Sequence, residues 1–286
     1  MDRAAFLKKI DDIPDLPTLP VVAAKVNRML QDDTVSAKQV SQTLIKDQAM
    51  VSKILKLVNS AFYGFRSKIT TIPHAITILG FNTVRNAVVA ISVIDALSGK
   101  DRLEGFDITD FWRHSVAVAV TGRNLAEKTG LTTPDEAFVA GILHDVGKVL
   151  LAQYFKEFFA EVWTSMRDNG LSFHEAENKL LPVAHPQIGG HLAQKWHLPP
   201  DLVKAISYHH AVHECAGNLN LPMIVHVCDY VVNNYKPEVE ANLDVSGLCP
   251  EAARTMASQL DTLPEWFPAV AKEIEEGCEF FVARSG

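Results

Sequence analysis

Phosphate-cradling glycine loops are missing from this 286-residue chain. Neither G-x-G-x-x-G nor a P-loop occurs, so kinase chemistry and a nucleotide cofactor have no support. Cysteine is scarce: Cys215, Cys228, Cys249 and Cys278 stand too far apart for a C-x-x-C clamp, and nothing indicates secretion, so they read as reduced core residues. An excess of positive charge is also lacking. With 27 Lys+Arg against 34 Asp+Glu the formal charge is −7, which argues against nucleic acid or an anionic membrane as the partner. No apolar run approaches the roughly 18 residues of a membrane span. The first ten residues carry Asp2, Lys8 and Lys9 instead of an apolar leader core, so the expected location is the cytoplasm. No fixed-period repeat points to a solenoid. What is present, 48% hydrophobic and 21% charged residues with few glycines and prolines, describes a globular chain of one large or two modest domains.

Helical periodicity runs through most of the chain. Val22, Val26, Met29 and Leu30, then Val40, Leu44 and Ile45, then Val51, Ile54, Leu55 and Val58 predict three short helices, with Ser36 and Asp47 placed as N-caps. Residues 72–79 read as another short helix stopped by Gly80, and 81–97 as a mostly apolar helix. Glycines and charges over 98–105 mark the best internal boundary. Beyond it, helices are predicted over about 108–129, 134–150, 155–169, 172–181, 185–196, 200–210 and 222–234. Val116 to Val120 alternates as a strand would, but its alternate residues are alanine and the helical pattern runs on through Asn124 to Lys128. Residues 237–250 read as a polar linker. A last helix aligns Leu263, Phe267, Val270, Ile274, Cys278 and Phe281 on a stripe expected to dock on the main body. The expected fold is therefore all-α, divided into an N-terminal helical part (12–98), a helical core (106–234) and a linker with a C-terminal amphipathic helix (235–286).

Histidine is abundant and unevenly placed. Of eleven, His74 alone precedes the boundary, and the other ten fall between His114 and His226. The strongest chemical signal is Gly141-Ile142-Leu143-His144-Asp145-Val146-Gly147-Lys148: a neutral nitrogen ligand beside a carboxylate able to bridge two metals, with Lys148 one turn on from His144. Asp110 and His114 at i, i+4, His185 opening a helix, the adjacent His209-His210, and Asp229 supply further donors from separate helices. Singly, each reads as a hydrogen-bonded core residue or a cap. Jointly, five histidines and two carboxylates would be costly to bury without a metal. His226 could share the face of Asp229, whereas His174, His191 and His197 read as surface or supporting groups. Ser60 has no partner histidine nearby in sequence, so a serine nucleophile is unsupported.

The order His114, His144-Asp145, His185-Pro186, His209-His210, Asp229 resembles the HD superfamily of metal-dependent phosphohydrolases, and within it the branch of the HD-GYP cyclic-di-GMP phosphodiesterases. Leu16-Pro17-Thr18-Leu19-Pro20, Asp47, Asn59 to Gly64, Ile72-Pro73-His74-Ala75-Ile76 and Leu79-Gly80 are similar to the hallmarks of the HDOD domain, an HD-related output domain of bacterial signalling proteins. The resemblance covers about residues 12–234. It implies an N-terminal helical subdomain packed on an HD-like multi-helix core. It also implies metal ligation by His114, His144, Asp145, His185, His209, His210 and Asp229, with Asp110 as a weaker match. Asp145 would be the bridge, and Lys148 the phosphate contact. Many members of the family have lost part of this set and act by binding; this chain keeps it. The E-R-x-D-G…G-Y-P segment of the phosphodiesterases is absent after His210, so cyclic-di-GMP hydrolysis does not transfer.

Two functional readings follow. One is a regulatory module with a bound divalent transition metal (iron, manganese, zinc or nickel, in about two sites) and a signalling protein or small phosphorylated ligand as partner. The other is a metal-dependent phosphohydrolase or phosphodiesterase, with Asp145 and Lys148 at the chemistry. Oligomeric state is not legible.

Overall fold

The computed structural model describes residues 2–29, 35–59, 68–98, 105–236 and 242–282, and every regular element among them is helical. The N-terminal part comprises α1 (Arg3–Asp11), α2 (Val21–Met29), α3 (Ala37–Leu44), α4 (Gln48–Val58) and α5 (Ile72–Leu97). Ser36 caps α3 in a reciprocal pair with Gln39, and the Asp47 carboxylate accepts from the Met50 N–H at 2.9 Å to open α4. Asn59 closes α4 and also grips Ile69, donating to its carbonyl at 2.6 Å and accepting from its amide at 2.7 Å. The rest of the Asn59 to Gly64 run lies outside the described residues. Gly80 holds φ +84°, a left-handed value that interrupts the helical path, so α5 is two helical stretches joined at a kink.

The second part comprises α6 (Ile108–Thr129), α7 (Pro134–Leu143), α8 (Val146–Tyr154), α9 (Lys156–Asn169), α10 (Phe173–Leu180), α11 (His185–Lys195), α12 (Pro200–Tyr208) and α13 (Asn220–Asn234). After it come α14 (Pro250–Thr255), α15 (Ala257–Asp261) and α16 (Leu263–Phe281). Helix α6 is central, packed against α7, α13 and α16. That position explains the alternation of Val116 to Val120: all five residues are buried, because α6 is covered on several sides.

The structure departs from the sequence expectation in three places. The helix expected over 134–150 breaks at His144 and Asp145, where the Asp145 backbone leaves helical values (φ −101°, ψ 6°). Helix α1 was not anticipated. Two short helices, α14 and α15, precede the C-terminal one.

The two parts share one continuous core running from Phe6 to Val282. Helix α5 packs on α7, the Thr83 hydroxyl bonds the Asp135 carboxylate, and Gln153 donates to the Leu97 carbonyl at 3.3 Å. The Leu16 to Pro20 segment is a docking strap: the Trp196 indole N–H donates to the Pro17 carbonyl at 2.9 Å, and Leu19 is buried. The 26-residue α5 is long and apolar enough to cross a membrane by length and composition, yet 61% of its most apolar window is buried inside this core. The α16 stripe docks as expected, with Leu263, Phe267, Val270 and Phe281 buried and Phe281 against Phe138.

Phe267 meets Tyr235 edge-on at 5.3 Å and is 7% exposed. Phe267→Ala is expected to cost about 3–5 kcal/mol in urea unfolding. A loss below about 0.5 kcal/mol, the range of an exposed position, would show that α16 does not hold to the body.

Candidate metal centre

Helix ends aim the site's histidines. The last carbonyls of a helix have no intrahelical donor. At the end of α7, the ring of the C-cap residue His144 supplies one, its Nδ1–H donating to the Gly141 carbonyl at 2.7 Å. At the end of α12, the C-cap residue His209 repeats the arrangement with the Ile206 carbonyl at 2.8 Å. A carbonyl cannot donate, so both rings carry their proton on Nδ1, and Nε2 faces away from the helix end. His185 is the first residue of α11, and its Nδ1–H donates to Glu177 at 2.5 Å. Asp145 sits at the N-cap of α8 without using its side chain as a cap, which leaves both carboxylate oxygens to the site.

These groups converge in two clusters whose ligand atoms lie within 4.8 Å of one another: Asp145, His185, His209 and His210 in one, His114, His144 and Asp229 in the other. Asp145 spans both. Its Oδ1 is 2.9 Å from His185 Nε2 and 3.7 Å from His209 Nε2, while its Oδ2 is 3.3 Å from His144 Nε2 and 3.8 Å from His114 Nε2. Asp229 Oδ1 lies 3.1 Å from His114 Nε2 and 3.7 Å from His144 Nε2. Lys148 reaches Asp145 Oδ2 at 2.6 Å.

The donor set fits a divalent transition metal on one structural ground. Asp145 Oδ1 and His144 Nε2 are buried and engage no partner in hydrogen-bond geometry, despite these short contacts. The His185 and His209 Nε2 atoms also face each other at 3.3 Å. With Nδ1–H of His144, His185 and His209 committed to Gly141, Glu177 and Ile206, the Nε2 atoms of the three rings and the Asp145 carboxylate converge on a point between them, which is how ligands approach a cation. Histidine with carboxylate at such a point suits iron, manganese, zinc or nickel.

Electrostatics points the same way. Burial would raise the Asp145 carboxyl, but His144, Lys148 and His185 hold it well below the usual range. Asp229 is likewise held down against burial, by His114 and His144. Burial works against charge on His144, yet Asp145 and Asp229 push it up to about 10. His209, buried and close to the other rings, drops to about 4. Asp145 and Asp229 thus draw positive charge inward, from Lys148 and from the rings that face them.

Asp110 is exposed on the first turn of α6 and belongs to neither cluster. His226 stands beside the site with both ring nitrogens engaged: Nδ1–H donates to the His209 carbonyl at 2.7 Å, and Nε2 accepts from the Cys249 N–H at 2.9 Å. His174 stacks on His210 with ring centroids 4.3 Å apart, which is the supporting place of the two expected for it. Glu177 was missed by sequence reasoning. Its signal was an acidic residue on the inward stripe of α10, beside Ala176, in a helix whose other charges face out.

A family model described as the HDOD domain matches residues 16–212. A curated protein of Treponema pallidum (strain Nichols) is 25% identical over 208 residues, which is 72% of this chain but only 39% of that relative's length. Among solved structures, a Shewanella amazonensis protein provisionally named a phosphohydrolase is 28% identical, with 97% of each chain covered and a TM-score of 0.75. An HDOD domain protein of Geobacter sulfurreducens is 24% identical over 98% of this chain and 97% of its own, with a TM-score of 0.79. A Marinobacter aquaeolei protein provisionally named for signal transduction shares the fold at 19% identity and a TM-score of 0.74, over 97% of this chain and 64% of its own.

The two clusters meet where α8 packs on α11, and that approach depends on Gly147. A Cβ there would stand 2.1 Å from the His185 carbonyl oxygen and 2.9 Å from the Gly189 nitrogen. Gly147→Ala is expected to destabilise the fold by about 1–3 kcal/mol, read as a lower urea midpoint at unchanged slope. An unchanged midpoint would mean that the two helices do not touch at this point.

Proposed function

Because the chain belongs to the HDOD domain family, we propose that it acts in bacterial signal transduction as a cytoplasmic regulatory module whose HD-type site holds about two divalent transition-metal ions. The observation that carries this reading is the convergence of His114, His144, His185 and His209 Nε2 on the carboxylates of Asp145 and Asp229, with Asp145 presenting one oxygen to each cluster. Its output would pass to a signalling protein or a small phosphorylated ligand through the helical surface around the site.

A second reading, hydrolysis of a phosphoester, is favoured by the site's open rim. His114, Lys148 and His174 keep 22–23% of their side-chain surface exposed, while His144, Asp145 and His185 are enclosed. Ions bound there would act as Lewis acids toward a phosphoester oxygen and would make a shared water more acidic. The residues of this chain contribute position and charge: Lys148 places an ammonium within reach of an incoming phosphate oxygen, and the enclosed carboxylates keep the rings in register.

Elemental analysis of protein purified without chelator is expected to find at least one transition-metal ion per chain, about two when loaded, and Asp145→Ala is expected to remove most of it. No uptake under any reconstitution condition would sink the site. The same samples separate the two readings: turnover of bis-p-nitrophenyl phosphate or p-nitrophenyl phosphate, lost in Asp145→Ala, makes the protein an enzyme, whereas metal without turnover leaves the regulatory module.

A further inference from the structure

The two clusters differ in what stands behind their histidines. His144, in the cluster with His114 and Asp229, leans on a neutral peptide carbonyl, and so does His209 in the other. His185 leans on a full carboxylate. Glu177 is 0% exposed and holds His185 at two points: Oε2 accepts from Nδ1–H at 2.5 Å and Oε1 accepts from the backbone N–H at 3.0 Å. The second bond satisfies one of the orphan amides at the start of α11, where the helix dipole also favours an anion. With ring and backbone both fixed, His185 keeps little rotational freedom, and its Nε2 is directed at Asp145 Oδ1, 2.9 Å away.

A carboxylate behind an imidazole makes the far nitrogen a stronger donor than a carbonyl does, because the Nδ1 proton is drawn toward a negative charge. His174 Nδ1 lies 3.9 Å from Glu177 Oε2, and its ring stacks on His210, so the same carboxylate borders a second ring of this cluster. Among the described residues, no comparable carboxylate stands behind His144 or His209.

We propose that Glu177 is a positioning residue that makes the two metal subsites unequal, so that the subsite formed by Asp145, His185, His209 and His210 binds the tighter ion and fills first. Glu177 touches no ion itself; it acts through His185. The proposal rests on the metal-binding reading above, and the wild-type arm of the test keeps the two apart.

The test is titration of the full-length, metal-stripped protein with Mn2+ alone, followed by calorimetry, for wild type, Glu177→Gln and Asp229→Ala. Wild type is expected to show a tight and a weaker event. Glu177→Gln keeps the size of the side chain and an acceptor for the His185 amide, but removes the charge. It is expected to weaken the tight event by about 10–100-fold while leaving the weaker one in place. Asp229→Ala is expected to do the reverse. Wild-type affinities for both ions in Glu177→Gln would overturn the proposal, as would equal loss of both. Uptake of no ion by the wild type would remove the metal-binding reading and this proposal with it. Nitrogen NMR of the histidine rings in the metal-stripped protein gives a readout that loss of fold would not mimic. The His185 Nδ1 proton, shifted strongly downfield in the wild type, is expected to move upfield in Glu177→Gln with the His144 and His209 signals unchanged. An unmoved His185 signal would show that the carboxylate does not act on the ring.

Discussion

Two of the three carboxylates buried in the core among the described residues, Asp145 and Asp229, set the terms for everything around them. Asp145 and Asp229 are 1% and 7% exposed, and an isolated anion at such depth would lose far more hydration than packing could return. Each therefore gathers cationic or ligating partners, and those partners must come from different helices, since one helix face cannot surround a carboxylate. The convergence of α6, α7, α8, α11, α12 and α13 on one point is the structural cost of holding these charges. The close contact of α8 with α11 at Gly147 follows from it.

The second constraint is aim. A histidine on a mid-helix position swings through several rotamers, but a histidine at a helix end has an unsatisfied carbonyl within reach. His144 and His209 both use it, three residues back, and each ring is locked by the helix it terminates. The break at His144 and Asp145 is thus part of the device. An uninterrupted helix would have consumed the Gly141 carbonyl in its own ladder and left the ring untethered.

Much of this was legible in the sequence. The helical periods, the Ser36 and Asp47 caps and the stop at Gly80 follow from local rules that tertiary packing did not override. Five of the seven residues that the two clusters bring together, His144, Asp145, His185, His209 and His210, were legible because His-Asp, His-His and His-Pro pairs are rare enough to stand out, whereas His114 and Asp229 came from the order that resembles the HD superfamily. What was not legible came from contacts between distant segments. The helix break at Asp145 falls within an apolar run whose periodicity shows no interruption. Asp110 has the right spacing from His114, but lies on the exposed side of the first turn. Glu177 carries no motif, and its importance appears only when α10 is folded against the start of α11. Helix α1 has a weak apolar pattern and is secured by Phe6 stacking on Phe155, far along the chain.

The family signature ends at residue 212, yet α13 lies beyond it and carries Asp229. It also carries His226, whose ring stitches the His209 carbonyl to the amide of Cys249 at the threshold of the C-terminal helices. The stretch matched by the family model is therefore shorter than the unit that brings the two buried aspartates together. Gene rearrangements that moved only residues 16–212 would leave His114 and His144 without Asp229, the carboxylate of their own cluster. In a recombined architecture, the boundary that keeps the bond between His226 and Cys249 lies after Cys249.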